Sequence, residues 1–100
     1  MKIAIDFDGV IIKRNGIPTI RTWDDDPMEG ALESINLLLN MKHKVWIFTS
    51  NPEILEVRKW LDKHDFPRLE VTNIKKGAHV YIDDRGLRFT NWQDIRKYFV

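Results

Sequence analysis

Two acidic pairs, Asp6 with Asp8 and Asp83 with Asp84, each stand at the end of a short apolar run. Lys2-Ile3-Ala4-Ile5 leads into Asp6-Phe7-Asp8-Gly9-Val10, and His79-Val80-Tyr81-Ile82 leads into Asp83-Asp84-Arg85-Gly86. A short apolar run bounded by a turn signal reads as a buried strand, and in an open parallel α/β sheet ligands bind at the carboxyl ends of the strands. Both pairs then meet at one end of one sheet. Carboxylates gathered there repel one another and raise each other's pKa values unless a cation neutralises them. An all-oxygen set suits a hard ion, so Mg²⁺ is the expected cofactor.

The elements that must position these residues follow from the rest of the pattern. Ile3 to Phe7 reads as the first strand, ended by Asp8-Gly9, and Asn15-Gly16 between apolar flanks reads as a type I′ turn of a small β-hairpin beside the first pair. Asp24-Asp25-Asp26-Pro27 predicts a helix start, with Asp26 as N-cap and Pro27 in the first helical position. Met28, Ala31, Leu32, Ile35, Leu38 and Leu39 recur at helical spacing up to about Lys42. Val45-Trp46-Ile47-Phe48 is a continuous apolar run that ends at Thr49-Ser50-Asn51-Pro52, as a strand buried on both faces would. A helix capped by Asn51 follows, with Ile54, Val57, Trp60 and Leu61 on its face and Phe66-Pro67 closing it. Leu69 to Thr72 predicts a weak strand, His79 to Ile82 a stronger one, and Trp92 to Tyr98 a short helix begun by Asn91 or Thr90. Strands alternating with helices predict an α/β, Rossmann-like three-layer sandwich with a mainly parallel sheet.

In chain order the strand ends present Asp6 and Asp8, then Thr49, then Lys75 or Lys76, then Asp83 and Asp84. This set resembles the four motifs of the haloacid dehalogenase (HAD) superfamily of aspartyl phosphotransferases. Asp6-Phe7-Asp8-Gly9-Val10, Ile47-Phe48-Thr49, Asn73-Ile74-Lys75 and Ile82-Asp83-Asp84 appear in the family's order and span nearly the whole chain. The resemblance implies that Asp6 is a nucleophile that forms an acyl phosphate and that Asp8 is the general acid and base. It implies Mg²⁺ held by Asp6, the main-chain carbonyl of Asp8 and Asp83, with Asp84 binding directly or through water. Thr49 would donate a hydrogen bond to a phosphoryl oxygen, and Lys75 would offset the crowded negative charge. Val10 stands where many relatives carry Thr, and Lys75 is chosen over Lys76 because relatives tend to show Asn, an apolar residue, then Lys.

The residues also have plainer readings. Asp-Gly is a common turn dipeptide, Thr49 and Asn51 are good helix-capping residues, and surface lysines are ordinarily solvated. Asn51 is read as structural, and Asp24 to Asp26 as acidic residues complementing a helix dipole rather than a second metal cluster. His43, His64 and His79 lack ligand-like spacing. Arg85 is read as forming a structural ion pair, and Trp23 as touching substrate or covering an edge.

At 100 residues the chain fits a single HAD-like domain, residues 1–100, and the connections after the first and third strands leave no room for an inserted cap. Sixteen basic against 15 acidic residues give a net charge of +1, too balanced to indicate a nucleic-acid partner on its own. The absence of cysteine excludes disulfides, Cys-type zinc sites and thiol nucleophiles. No apolar stretch approaches membrane-spanning length and no leader pattern opens the sequence, so a cytoplasmic protein is expected.

The expected partner is a phosphorylated substrate, either a small molecule or a nucleic-acid end, with Lys13, Arg14 and Arg21 lending positive charge near the entrance. An uncapped site would also leave room for a homo-oligomer to complete it. Two rivals remain at this stage. A receiver domain would carry its phosphoacceptor on a mid-chain strand, where this chain has Thr49. A non-catalytic HAD-like metal- or phosphate-binding or regulatory protein would have no need of Asp8.

Overall fold

The computed structural model describes residues 1–14, 23–83 and 87–99. The elements run β1 (Lys2–Ile5), α1 (Ala31–Asn40), β2 (Lys44–Phe48), α2 (Ile54–Lys63), β3 (Val71–Thr72), β4 (Val80–Asp83), β5 (Leu87–Arg88) and α3 (Trp92–Arg96). The strands form one sheet in the order β3-β2-β1-β4-β5, with every pairing parallel. This is the expected α/β class, without a cap domain among the described residues. β1 lies at the centre, and its Ile3, Ala4 and Ile5 are all buried, as in a parallel strand covered on both faces.

Alternation along the strands separates the two faces. Ile3, Ile5, Val45, Ile47 and Ile82 join Ala31, Ile35 and Leu38 of α1, Val57, Trp60 and Leu61 of α2, and Trp92 and Ile95 of α3 in one core. On the other face Ala4 lies in register with both Trp46 and Tyr81. The connection from β3 to β4 covers that face: the Lys76 ammonium lies 5.0 Å from the Trp46 ring centre and the Lys75 ammonium 5.3 Å from that of Tyr81. The Tyr81 hydroxyl donates to the Lys76 carbonyl.

The helix start predicted at Asp26-Pro27 is displaced. α1 begins at Ala31, after Gly30 in the left-handed region at φ 81°. Pro27 instead pairs with Ile12 in an antiparallel bridge. Lys13 N–H donates to the Asp26 carbonyl (2.8 Å) and Met28 N–H to the Ile11 carbonyl (2.7 Å), so Pro27 occupies a position where a missing N–H costs no ladder bond. The acidic residues 24–26 therefore do not complement the dipole of α1. These two short segments form the base of a flap after β1, whereas the predicted Asn15-Gly16 turn, and Arg21, lie outside the described residues.

Three smaller differences follow from local hydrogen bonding. α2 starts at Ile54 rather than directly after Asn51, whose Oδ1 accepts from Glu53 N–H (2.9 Å) within the preceding turn. α3 ends at Arg96, and of the two candidate caps Asn91 accepts from Asp94 N–H (2.8 Å). β5 has no counterpart in the sequence reading, because a two-residue strand carries no periodicity.

Candidate active site

The register Ile5↔Ile47 and Ile5↔Ile82 brings the next residues of three adjacent strands, Asp6, Phe48-Thr49 and Asp83, to one end of the sheet. Asp6 extends the ladder by one bond, its N–H donating to the Ile82 carbonyl (3.1 Å). Its carboxylate Oδ1 accepts from Phe7 N–H (2.8 Å), which orients the side chain. Phe7 itself is fully buried, edge-on to Trp60 with ring centres 5.3 Å apart. The side chains before and after it are therefore held at the rim by a plug in the core.

Beyond Phe7 the chain turns tightly. The amides of Val10, Ile11 and Ile12 all point at the Phe7 carbonyl (3.3, 2.9 and 3.2 Å), and Gly9 adopts φ 77°. Asp8 projects from this turn, and Asp6, Asp8, Gly9, Val10 and Phe89 line a cleft of about 230 Å³. Ordinary small-molecule pockets enclose roughly 300–1,000 Å³, so a phosphoryl group fits here while the bulk of its carrier lies outside. Two larger clefts, of about 400 and 460 Å³, flank α3. Among their polar side chains, Arg96 binds Ser34 (2.7 Å), and Asp94 accepts from Thr90 and Asn91.

Thr49 is fully buried, and its amide donates to the Thr72 carbonyl (3.0 Å). Its Oγ1 accepts from Asn51 N–H (3.0 Å), which leaves the hydroxyl proton available for donation. Asn51 holds the turn in place, as expected of a structural residue. The two lysines have separate settings. Lys76 pairs with Glu70 at 2.6 Å, and this hydrogen bond holds the Glu70 carboxyl below its ordinary range. Lys75 lies over Tyr81, two residues before Asp83 on the same face of β4. The Lys76 ammonium thus reaches toward the start of β3 and that of Lys75 lies over β4, and neither lysine lines the Asp6–Asp8 cleft.

Arg14 is the site residue whose role the sequence did not disclose. Its Nε and Nη2 both donate to Oδ1 of Asp8, at 2.8 and 2.5 Å. Nη1 lies 3.3 Å from Asp25 Oδ2, and the guanidinium stands 5.8 Å from the Trp23 ring centre. Trp23 in turn lies 6.2 Å from Phe7. Asp25, read from sequence as a helix-dipole residue, is thus an arginine anchor. Phe89 is a second site residue the sequence did not disclose: its N–H donates to the Asp83 carbonyl (2.8 Å), and it lines the Asp6–Asp8 cleft. An arginine six residues after Asp8 and facing a run of aspartates was the available signal for the first; nothing in the sequence marks the second.

Asp83 is half-buried at the end of β4, while Asp84, its direct or water-mediated role, and Arg85 lie outside the described residues. Among the described residues no group of three or more His, Asp or Glu is assembled as a metal cage. The donor chemistry nevertheless fits a hard ion. Asp6 and Asp83 offer carboxylates, and Asp8, its side chain engaged by Arg14, has its main-chain carbonyl to offer.

No family model and no curated protein matches the chain. Its structure is similar to that of a conserved protein coded by a locus of Bacteroides thetaiotaomicron, with a TM-score of 0.71 at 25% sequence identity over 99% of this chain and 88% of the other. The similarity covers the whole α/β fold.

Proposed function

We propose that this chain is a HAD-like, Mg²⁺-dependent phosphomonoesterase that works through an aspartyl phosphate on Asp6. One observation carries the reading: Asp6 and Asp8 share a cleft at the carboxyl end of the central strand, with Thr49 and Asp83 on the strands to either side. Two-step phosphoryl transfer needs a nucleophile and a proton carrier at one phosphate, and Asp6 and Asp8, on either side of the buried Phe7, supply both groups.

In the first step an Asp6 oxygen attacks phosphorus in line, the bond from phosphorus to the ester oxygen breaks, and Asp8 gives its proton to the departing alkoxide. In the second, Asp8 takes a proton from water as that water attacks the acyl phosphate, releasing inorganic phosphate and restoring the Asp6 carboxylate. Thr49 donates to a phosphoryl oxygen as charge builds up, and Lys75 offsets the anions. Mg²⁺, held by Asp6, the Asp8 carbonyl, Asp83 and Asp84, would neutralise charge between nucleophile and phosphate. The small cleft favours a substrate presenting an exposed phosphate, such as a nucleotide or a phosphorylated nucleic-acid end.

Hydrolysis of para-nitrophenyl phosphate tests the reading. Activity that needs Mg²⁺, is lost on chelation and is abolished by Asp6→Asn supports it. Hydrolysis undiminished in Asp6→Asn excludes the nucleophile, and Mg²⁺ binding without turnover on any phosphate favours a binding protein.

A further inference from the structure

We infer that Arg14 is the positioning residue for Asp8, selecting which carboxylate oxygen moves the proton; this rests on the phosphomonoesterase reading above. A carboxylate oxygen has two lone-pair sites, and Oδ1 of Asp8 already accepts both Nε–H and Nη2–H of Arg14. Oδ1 is therefore occupied. Among the described residues no hydrogen bond reaches Oδ2, so that oxygen is the one left open to pass a proton to or from the substrate. The two donors on a single oxygen also fix the rotation of the carboxylate, which a lone contact would not.

The clamp is itself braced from behind. Asp25 Oδ2 holds the other terminal nitrogen of Arg14 at 3.3 Å, and the Asp25 carbonyl accepts from Trp60 Nε1 (3.1 Å) on α2. The side chains of Arg14, Asp8 and Asp25 are only 20, 26 and 19% exposed, so water competes weakly for these bonds. An exposed ion pair is worth little. This one is sheltered, forked, and tied through the flap to a core helix, and a lysine in its place could supply charge but not the fork.

A positioning role predicts a dependence on leaving group that a purely structural role does not. Phenyl phosphate and para-nitrophenyl phosphate have nearly the same shape, but phenolate is the poorer leaving group and depends more on the proton from Asp8. kcat/KM, which reports the steps through leaving-group departure, is measured on both with Mg²⁺ present. In Arg14→Gln the ratio of kcat/KM for para-nitrophenyl over phenyl phosphate should widen by about 10²-fold, the lower end of a general-acid contribution. Arg14→Lys should widen it nearly as much, and Asp25→Asn, which leaves the arginine in place, by about 3-fold in the same direction. A ratio unchanged from wild type in Arg14→Gln, or in Asp25→Asn should the first variant not fold, overturns the inference. Equal losses on both substrates do the same, assigning Arg14 to phosphate binding. Wild-type protein inactive on both would instead overturn the phosphomonoesterase reading itself.

Discussion

Asp6 and Asp8 are two residues apart, yet their surroundings suit them to different work. Asp6 accepts from the Phe7 amide, and Asp8 accepts a forked pair of bonds from the Arg14 guanidinium. Asp8→Asn should therefore leave the nucleophile intact and slow hydrolysis of the acyl phosphate, so that a rapid-quench experiment with para-nitrophenyl phosphate shows phosphorylated protein accumulating beyond the wild-type level. Thr49→Val keeps the side-chain shape and removes the hydroxyl; kcat/KM should fall by about 10²-fold, with Thr49→Ser recovering most of it. Residue types at strand ends were legible in the sequence because each motif residue lies next to a strand in the chain. Arg14 was not, because its partners Asp8 and Asp25 meet only when residues 11–13 pair with 26–28, a contact that no local periodicity encodes.

At the scale of elements, the central strand and the two longer helices were legible from apolar runs and 3.6-residue spacing. The start of α1 was not. Asp26-Pro27 has the chemistry of a helix start, but Pro27 is also acceptable opposite Ile12, and burying Ile11 and Ile12 decides between the two. Gly30 then begins the helix at φ 81°, with a Cβ at that position falling 3.3 Å from the Trp92 Cβ. Gly30→Ala combines left-handed strain with this close approach and should destabilise the fold by about 1–2 kcal/mol, read as a lower urea midpoint. Asn91→Ala removes the cap of α3 and should cost about 1 kcal/mol by the same measurement.

Across the whole molecule, one apolar cluster joins the three helices to the sheet, and the β3–β4 connection lies over Trp46 and Tyr81. Ile47→Ala at the heart of that core should cost about 2–5 kcal/mol, enough to endanger a chain of this size. Charge adds a pH dependence. Hydrogen bonds from Thr90 and Asn91 hold Asp94 below the ordinary aspartate range, as Lys76 does for Glu70. A carboxyl depressed in the folded state contributes stability above its unfolded pKa and loses it as pH falls through the folded value. The urea midpoint should accordingly drop on going from neutral pH to below the carboxylate range, with a shallower drop in Asp94→Asn. No helix among the described residues is long and apolar enough to cross a membrane.

The most direct test of the central claim is to find the phosphoryl group itself. Asp8→Asn protein incubated with Mg²⁺ and para-nitrophenyl phosphate, quenched in acid, digested and analysed by mass spectrometry should carry one phosphoryl group on Asp6, and the Asp6→Asn, Asp8→Asn double variant should carry none. A phosphoryl group on any other residue, or turnover by Asp6→Asn at the wild-type rate, would contradict it.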